Sequence, residues 1–318
     1  MTDVPIPKEK WTGRVGGTVL GALREEGGTR GKKVLVGGET GMPFLSYEGS
    51  IPNRPVIAGE VLDTTKDYPE MARKEFGGLI DDPAEWAKAW VERFGADLVC
   101  LKLLSTNPEE ENRPPEEAAS TVKRVLEAVS VPLIVYGCGH EEKDAKTMEV
   151  VSNIGARERL LLGQAEETAY KSIAAASMAN NHALIAFSNL DINLAKQINI
   201  LLTDFGVKKE NIVIDPLQAS LGTGLEYSYS VNERIRLAAL MGDSMLQLPM
   251  LCDVTVAWKT REATEENERY GPAEIRAVWW EVATGLSALI SGADILVVRS
   301  PTAAGKLRRA LDELIRGA

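Results

Sequence analysis

Apolar, strand-like runs in this chain end repeatedly on side chains that can carry charge, hold a proton or bond a polar ligand. The ends are Glu60 and Asp63, Lys102, Ser105 and Thr106, Tyr136 and Cys138, Gln164, Asn189 and Asp191, Asp215 and Gln218, Thr255, Arg299 and Ser300. The set is rich in amides, hydroxyls and carboxylates. It has no histidine in an obvious base position and no ligand trio for a metal. Lys102, inside an apolar strand, reads in two ways. A desolvated lysine has a lowered pKa and can form a Schiff base; it can equally pair with Glu60 or Asp63. Asp215 precedes Pro216, so it suits a ligand role or the acceptor role of a turn carboxylate. Gln164 and Asn189 suit loop caps or amide-bearing ligands. His140, after Gly139, reads as a helix cap, and His182 as a solvent-side residue before a strand. Of Trp279 and Trp280, one ring belongs in the core and the other serves an interface.

A regular alternation of strands and helices positions these residues. The anchor is Pro52-Asn53-Arg54-Pro55, stiff and extended, followed by an apolar run over 56–62 that closes on Asp63. Further strands are expected at 98–104, 133–136, 160–163, 183–187, 212–214, 252–256 and 295–298, separated by helices near 83–94, 115–129, 141–153, 166–178, 192–204, 230–241, 272–290 and 301–315. Asp82-Pro83 is an N-cap followed by proline at the first helical position, and Gly95, Gly206 and Gly292 stop helices. Eight strand–helix pairs in roughly 260 residues, with strands apolar throughout, predict an α/β fold, a closed (β/α)8 TIM barrel. The expected division is an N-terminal extension over 1–55 and a barrel over 56–318. In the extension, Lys33–Gly38 is expected to form a β-hairpin with Phe44–Glu48, a small ribbon over one barrel end. Its glycines do not form a phosphate loop: Glu26 stands where the first glycine belongs, and Lys33 where Ser or Thr belongs.

Composition narrows the function. The chain of 318 residues is 44% apolar with a net charge of −10. An acidic surface disfavours nucleic acid and anionic membrane as partners. No run approaches the roughly 20 apolar residues of a membrane span, and Met1 to Lys10 lack the apolar stretch of a signal peptide, so a cytoplasmic location is expected. Cys100, Cys138 and Cys252 are dispersed, with no CxxC, which argues against a disulfide framework or a metal cluster inside this chain.

The run Gly38-Glu39-Thr40-Gly41-Met42-Pro43-Phe44, then Glu48-Gly49, Pro52 to Ala58, Glu60-Val61 and Asp63, resembles the small subunit of the corrinoid iron–sulfur protein. That family is also the delta subunit of acetyl-CoA decarbonylase/synthase. Ala96-Asp97, Asn107-Pro108, Tyr136-Gly137-Cys138-Gly139 and Asp215-Pro216-Leu217 look like the same family, so the likeness spans nearly the whole chain. It implies a heterodimer working in the Wood–Ljungdahl pathway of anaerobes. The large subunit would carry a [4Fe–4S] cluster and a cobalamin-binding domain. The pair would take a methyl group from methyltetrahydrofolate, through a separate methyltransferase, and deliver it to acetyl-CoA synthase. Cobalamin would lie between the large subunit and the top of this barrel, with no cluster on this chain. On strand-end position and this resemblance, the expected cofactor-binding residues are Thr106, Cys138, Gln164, Asn189, Asp215, Gln218 and Arg299, with no catalytic residue and no metal ligand of its own.

The barrel is also similar to pterin-dependent methyltransferases, in which a strand-end Asp, a following Asn and an Asp-Pro-Leu turn hold the pterin. Asp215-Pro216-Leu217 matches the turn. The second strand ends Lys102-Leu103-Leu104-Ser105 where that group has Asp-x-Asn, which favours a barrel that shields a corrinoid face. A methyltransferase binding methyltetrahydropterin, and an aldolase-type barrel using Lys102, are the alternative readings.

Overall fold

A computed structural model describes residues 7–66 and 68–317. Two antiparallel strands come first, β1 (Gly17–Leu20) and β2 (Val34–Gly37). The barrel follows in chain order. Its first half is β3 (Val56–Leu62), α1 (Glu70–Phe76), α2 (Pro83–Glu92), β4 (Leu98–Lys102), α3 (Pro115–Ala128), β5 (Leu133–Tyr136), α4 (Glu141–Ile154), β6 (Leu161–Ala165) and α5 (Tyr170–Ala179). Its second half is β7 (Ala183–Phe187), α6 (Ile192–Phe205), β8 (Ile212–Asp215), α7 (Leu225–Leu240), β9 (Leu251–Asp253), α8 (Arg261–Thr264), α9 (Ala273–Ser291), β10 (Ile295–Val298) and α10 (Pro301–Gly317).

The eight parallel strands pair in the order β8-β7-β6-β5-β4-β3-β10-β9. The seam between β8 and β9 is held by one bridge, Ile214 to Met250, with Ile214 N–H donating to the Pro249 carbonyl at 2.8 Å. The result is the α/β barrel expected from the sequence, nearly closed.

Strand alternation decides what fills it. Ala58, Leu98, Cys100, Ile134, Leu161, Ala183, Ile185, Val213, Leu251, Ile295 and Val297 form one interior cluster. Leu20, Val34 and Val36 from β1 and β2 belong to that cluster, so the hairpin is the floor of the barrel. The opposite strand faces pack against the helices in a second, larger core. Two residues further along each strand, the same inward parity reaches Glu60, Lys102, Tyr136, Asp215, Asp253 and Arg299. The interior is thus apolar at the floor and middle and charged at the C-terminal end.

Several expected elements differ. Phe44–Glu48 is not a strand: Ser50 N–H bonds Thr40 Oγ1 at 2.9 Å and Thr40 N–H bonds the Ser50 carbonyl at 3.1 Å, which closes the segment on itself as a loop. The partner of β2 is β1 instead. Helix α1 was not expected; Ala72 and Phe76 bury there, with Phe76 edge-on to Trp86 and Trp90 at 5.4 Å each. The strand expected over 252–256 stops at Asp253, whose carboxylate accepts Thr255 N–H at 3.0 Å and turns Val254–Lys259 into a 3-10 helix. His182 is buried rather than solvent-side. It accepts Leu160 N–H at 3.1 Å and lies 3.0 Å from the Ser152 carbonyl, and burial lowers its pKa. Trp279 is exposed and Trp280 half-buried, so neither ring is core.

Near the floor, Glu39 lies buried beside Asp294 and Arg236. Arg236 bonds Asp294 and the Gly292 carbonyl, while Glu39 Oε2 has no partner among the described residues. Burial foremost, then the Asp294 charge, pushes the Glu39 carboxyl up to about 9. A raised folded pKa means that the stabilising protonated form is complete below the unfolded value and is lost as pH rises through the folded one. Wild-type stability should therefore fall between pH 7 and 9, by at most about 1.4 kcal/mol per pH unit. Glu39→Gln keeps a neutral hydrogen-bonding group and should flatten that slope. Urea unfolding at pH 7, 8 and 9 measures it, and parallel slopes for the two proteins would refute the assignment.

Candidate functional site

The charged layer at the barrel mouth forms one network. Lys102 Nζ donates to Glu60 Oε1 at 2.6 Å, Asp253 Oδ2 at 2.6 Å and Thr255 Oγ1 at 3.1 Å. Arg299 grips Glu60 with two bonds, 2.5 Å and 3.0 Å. Two cations and two carboxylates therefore balance, which is the condition for keeping them inside a barrel. Burial would raise the Glu60 pKa, but Arg299 and Lys102 outweigh it and hold the carboxyl well below the usual range. Burial would lower that of Lys102, but Asp253 and Glu60 outweigh it and hold the ammonium charged. Lys102 is thus an ion-pair residue; of the partners expected for it, Glu60 is used and Asp63 is not. Asp63 instead accepts Ser105 N–H at 2.9 Å and the Ser105 hydroxyl.

Arg299 is fixed from behind. Its ring neighbour is Tyr68, with the guanidinium 5.2 Å from the ring centre. Its backbone N–H donates to buried Glu281 at 2.6 Å, and Glu281 also accepts Trp258 Nε1–H at 2.8 Å and Ser300 N–H at 3.1 Å. Burial pushes the Glu281 carboxyl up to about 8 against the pull of these donors. One carboxylate from α9 thereby joins the end of β10 to the loop after β9.

A cavity of about 400 Å³ opens above the network. Glu60, Lys102, Cys138, Thr255 and Arg299 line it, with Tyr68, Asp253 and Trp258. Of the seven residues proposed from the sequence, it gathers Cys138 and Arg299. Cys138 Sγ lies 3.3 Å from Asp144 Oδ1, and Asp144 also accepts the N–H groups of Cys138 and Gly139, at 2.9 Å and 2.8 Å. Burial raises the Cys138 thiol pKa. Asp215 shares the inward layer but does not line the cavity. It accepts the Tyr136 hydroxyl at 2.8 Å and Leu217 N–H at 3.0 Å, and burial pushes it up to about 6.

The other four lie outside the cavity lining. Thr106 is buried and donates to the Leu103 carbonyl at 2.8 Å, inside its own turn. Gln164 donates to Glu166 Oε1 at 2.7 Å. Gln218 is buried, donating to the Ala219 carbonyl at 2.7 Å and facing Asn232 at 3.4 Å. Asn189 is exposed at the end of β7, in a left-handed conformation with φ 43°. Leu190 and Leu217, with φ 60° and 69°, meet there through a 2.8 Å bond from Leu190 N–H to the Pro216 carbonyl. Three non-glycine residues held at positive φ around one rim are costly and cluster at working surfaces. Asp191 caps α6, accepting Asn193 N–H at 2.7 Å, and His140 caps α4 as expected.

Sequence reasoning missed Asp253, Tyr68, Trp258 and Glu281. Asp253 was legible, because inward Leu251 puts residue 253 on the same face two positions on. Glu281 carried no signal, since nothing in the sequence of α9 says that Glu281 turns inward while Glu274 stays outside.

Among the described residues, no helix is long and apolar enough to cross a membrane. Known proteins resemble this chain at two levels. The barrel is shared with dihydropteroate synthases. That from Xanthomonas albilineans, solved in complex with 7,8-dihydropteroate, superposes with a TM-score of 0.59 at 16% identity, covering 86% of this chain and 98% of that one. That from Thermus thermophilus gives 0.53 at 18% identity, covering 86% and 98%. Likeness at this identity shows the fold alone. Sequence relatives are nearer. The acetyl-CoA decarbonylase/synthase complex subunit delta of Methanosarcina mazei is 37% identical over 308 residues, 94% of this chain and 70% of that protein. The subunit delta of Methanothermobacter thermautotrophicus is 38% identical over 304 residues, 95% of this chain and 76% of that protein. A family model described as CO dehydrogenase/acetyl-CoA synthase delta subunit matches residues 19–305. With the family model and these relatives each spanning most of its length, the chain belongs to the CO dehydrogenase/acetyl-CoA synthase delta subunit family.

Proposed function

We propose that this chain is the small subunit of a heterodimeric corrinoid iron–sulfur protein, its barrel mouth covering one face of a cobalamin carried by the large subunit. The [4Fe–4S] cluster belongs to that partner. The methyl group comes from methyltetrahydrofolate through a methyltransferase and passes to acetyl-CoA synthase in the Wood–Ljungdahl pathway, in the cytoplasm. The observation that carries this reading is the closed charge balance at the mouth. Lys102 is clamped between Glu60 and Asp253, and Glu60 between Lys102 and Arg299, so neither is free to act as nucleophile or base. That is a wall for a ligand held elsewhere, and it counts against the aldolase reading.

The rim fits a corrinoid. Corrin rings carry carboxamide arms, which pair with amides and hydroxyls. Thr64 and Asn107 line the mouth, and Asn189 stands exposed with no side-chain hydrogen bond among the described residues. Beside it, Ser188 Oγ is buried with no partner among the described residues. A buried hydroxyl without a partner is costly, and a ligand amide would satisfy it. When bound, the corrinoid supplies a cobalt centre that accepts and releases a methyl group. The chain itself excludes water from that face and orients the ring. Because two enzymes need access in turn, the contact must open and close.

Asp215 favours a second reading, a methyltransferase that binds methyltetrahydropterin. It is a strand-end carboxyl before Pro216-Leu217, on a barrel fold shared with an enzyme solved with 7,8-dihydropteroate. Against it, both Asp215 oxygens are engaged, by Tyr136 and Leu217. Anaerobic co-expression of the tagged chain with its genomic neighbours separates the two. Recovery of a larger subunit with corrinoid and iron–sulfur absorbance is the expected result. A chain that comes down alone and colourless, yet binds methyltetrahydrofolate, would overturn it.

A further inference from the structure

Barrel helices ordinarily bury one face and charge the other. Helix α10 obeys, with Lys306, Arg308, Arg309, Asp312 and Glu313 along it. Its neighbour α9 does not. Over residues 277–291 its only charged side chain is Glu281, and that is turned inward. The outer face is apolar instead: Ile275 is 59% exposed, Trp279 52% and Ile290 43%, with Ala283 and Leu286 half-buried between them. Trp279, Ala283, Leu286 and Ile290 are spaced by four, three and four residues. That is the a/d spacing of a helix-packing seam; among the described residues no second helix packs along it, and Lys306 of α10 reaches over its first member, 4.3 Å from the centre of the Trp279 ring. From Ile275 to Ile290 the stripe is roughly 23 Å long.

The stripe runs into a groove of about 410 Å³ lined by Met71, Ile275, Val278, Trp279 and Trp258, together with the charged Lys74, Glu75, Glu274 and Lys306, of which Lys74 and Glu274 pair with each other. Trp258 also lines the mouth cavity. A partner seated on α9 therefore lies directly beside the barrel mouth. Beyond the N-terminal end of α9, Glu262, Glu266 and Glu268 have no ion-pair partner among the described residues, and Tyr270 is 62% exposed next to them.

This charge pattern argues against a second copy of the chain. An antiparallel α9–α9 pairing would set these acids near the C-terminal carbonyls of the other α9, the negative end of its dipole, between two chains of net charge −10. A basic partner is favoured at the same place.

We propose that the outer face of α9 is the docking surface for the large subunit, which presents a helix with an apolar seam flanked by lysine or arginine. The inference rests on the heterodimer reading and gives it a place. The test co-expresses tagged chain and large subunit anaerobically and measures their association. Trp279→Glu/Ile290→Glu should weaken pairing at least about 100-fold, the scale of losing two central interface anchors, with the circular dichroism and melting temperature of the free chain unchanged. Trp279→Ser/Ile290→Ser should act in the same direction without adding charge. Leu35→Glu, exposed on the floor hairpin, should pair as wild type. Glu262→Gln/Glu266→Gln/Glu268→Gln should slow association and flatten its salt dependence. If the α9 variants pair as tightly as wild type, the docking surface is refuted while the heterodimer stands. If wild type does not pair with the large subunit, the heterodimer reading itself falls. A wild-type homodimer that the variants dissolve would assign the surface to a second copy and overturn the partner named here.

Discussion

Replacing Glu60 by alanine is expected to destabilise the protein by roughly 3–5 kcal/mol, the cost of leaving buried charge uncompensated. Glu60 is fully buried and, among the described residues, is the only carboxylate paired with Arg299; Lys102 would keep Asp253 alone. The substitution thus turns a balanced set of four charges into two cations and one anion. Glu60→Gln is the informative companion. It keeps shape and some hydrogen bonds, so a similar loss would show that charge, not packing, is what Glu60 supplies. Urea unfolding at pH 7 is the measurement, and a loss below about 1 kcal/mol in the alanine variant would contradict the account. The pH sign is also fixed. A carboxyl held below its unfolded value stabilises fully above that value and loses the contribution only as pH falls through the folded one. Wild type should therefore lose this advantage over Glu60→Gln only in strong acid.

The second large effect is one layer outward. Trp90 is fully buried, packed against Phe76 at 5.4 Å and Phe94 at 5.8 Å, with its Nε1–H on the Glu60 carbonyl at 2.8 Å. Its ring lies where a side chain on Gly59 would be: a Cβ there would stand 2.2 Å from the indole. Trp90→Ala should cost about 3–5 kcal/mol through the cavity it leaves. Gly59→Ala should cost about 1–3 kcal/mol through overpacking. The two should not add. With the ring gone the added methyl meets open space, so Gly59→Ala should be near neutral or favourable in the Trp90→Ala background. A double-mutant cycle by chemical denaturation measures that coupling. Additive losses would mean that strand β3, not the indole, responds to the methyl. Because Trp90 also holds the backbone of Glu60, its removal should loosen the mouth network, visible as faster amide exchange at Arg299 and Lys102.

Both effects trace to alternation along a strand, and alternation was what the sequence alone determined best. Apolar runs of five or so residues, each followed by a capped helix, require a parallel sheet with both faces covered, and eight of them close into a barrel. The ends of those runs mark the catalytic face of a barrel, which is why Glu60, Lys102, Asp215 and Arg299 could be named before any coordinates. Helix starts at Asp82 and Asp191 were legible for a similarly local reason, since a carboxylate that accepts nearby backbone N–H groups is written within two or three residues. The resemblance to the delta subunit family was likewise carried by the linear run from Gly38 to Asp63.

What only the tertiary structure decided depends on contacts between distant segments. Lys102 chose Glu60 and Asp253 over Asp63 because Ser105 took Asp63 first, a competition between residues 42 positions apart. The true partner of β2 was β1 because Thr40 and Ser50 closed the nearer candidate into a loop. Asp253, Tyr68 and Trp258 joined the mouth through the folding of a strand end, a loop and a 3-10 turn onto Arg299. Glu281 entered from a helix in which it is the lone charge over residues 277–291, with no local mark of the direction it faces. That same helix shows the division most plainly. Its seam of Trp279, Ala283, Leu286 and Ile290 is written in the sequence, but a buried helix and an uncovered one read alike there. The packing of α7 and α10 against its other faces is what leaves that stripe in solvent, because periodicity sets which residues share a face and only the assembled barrel sets which face has no neighbour.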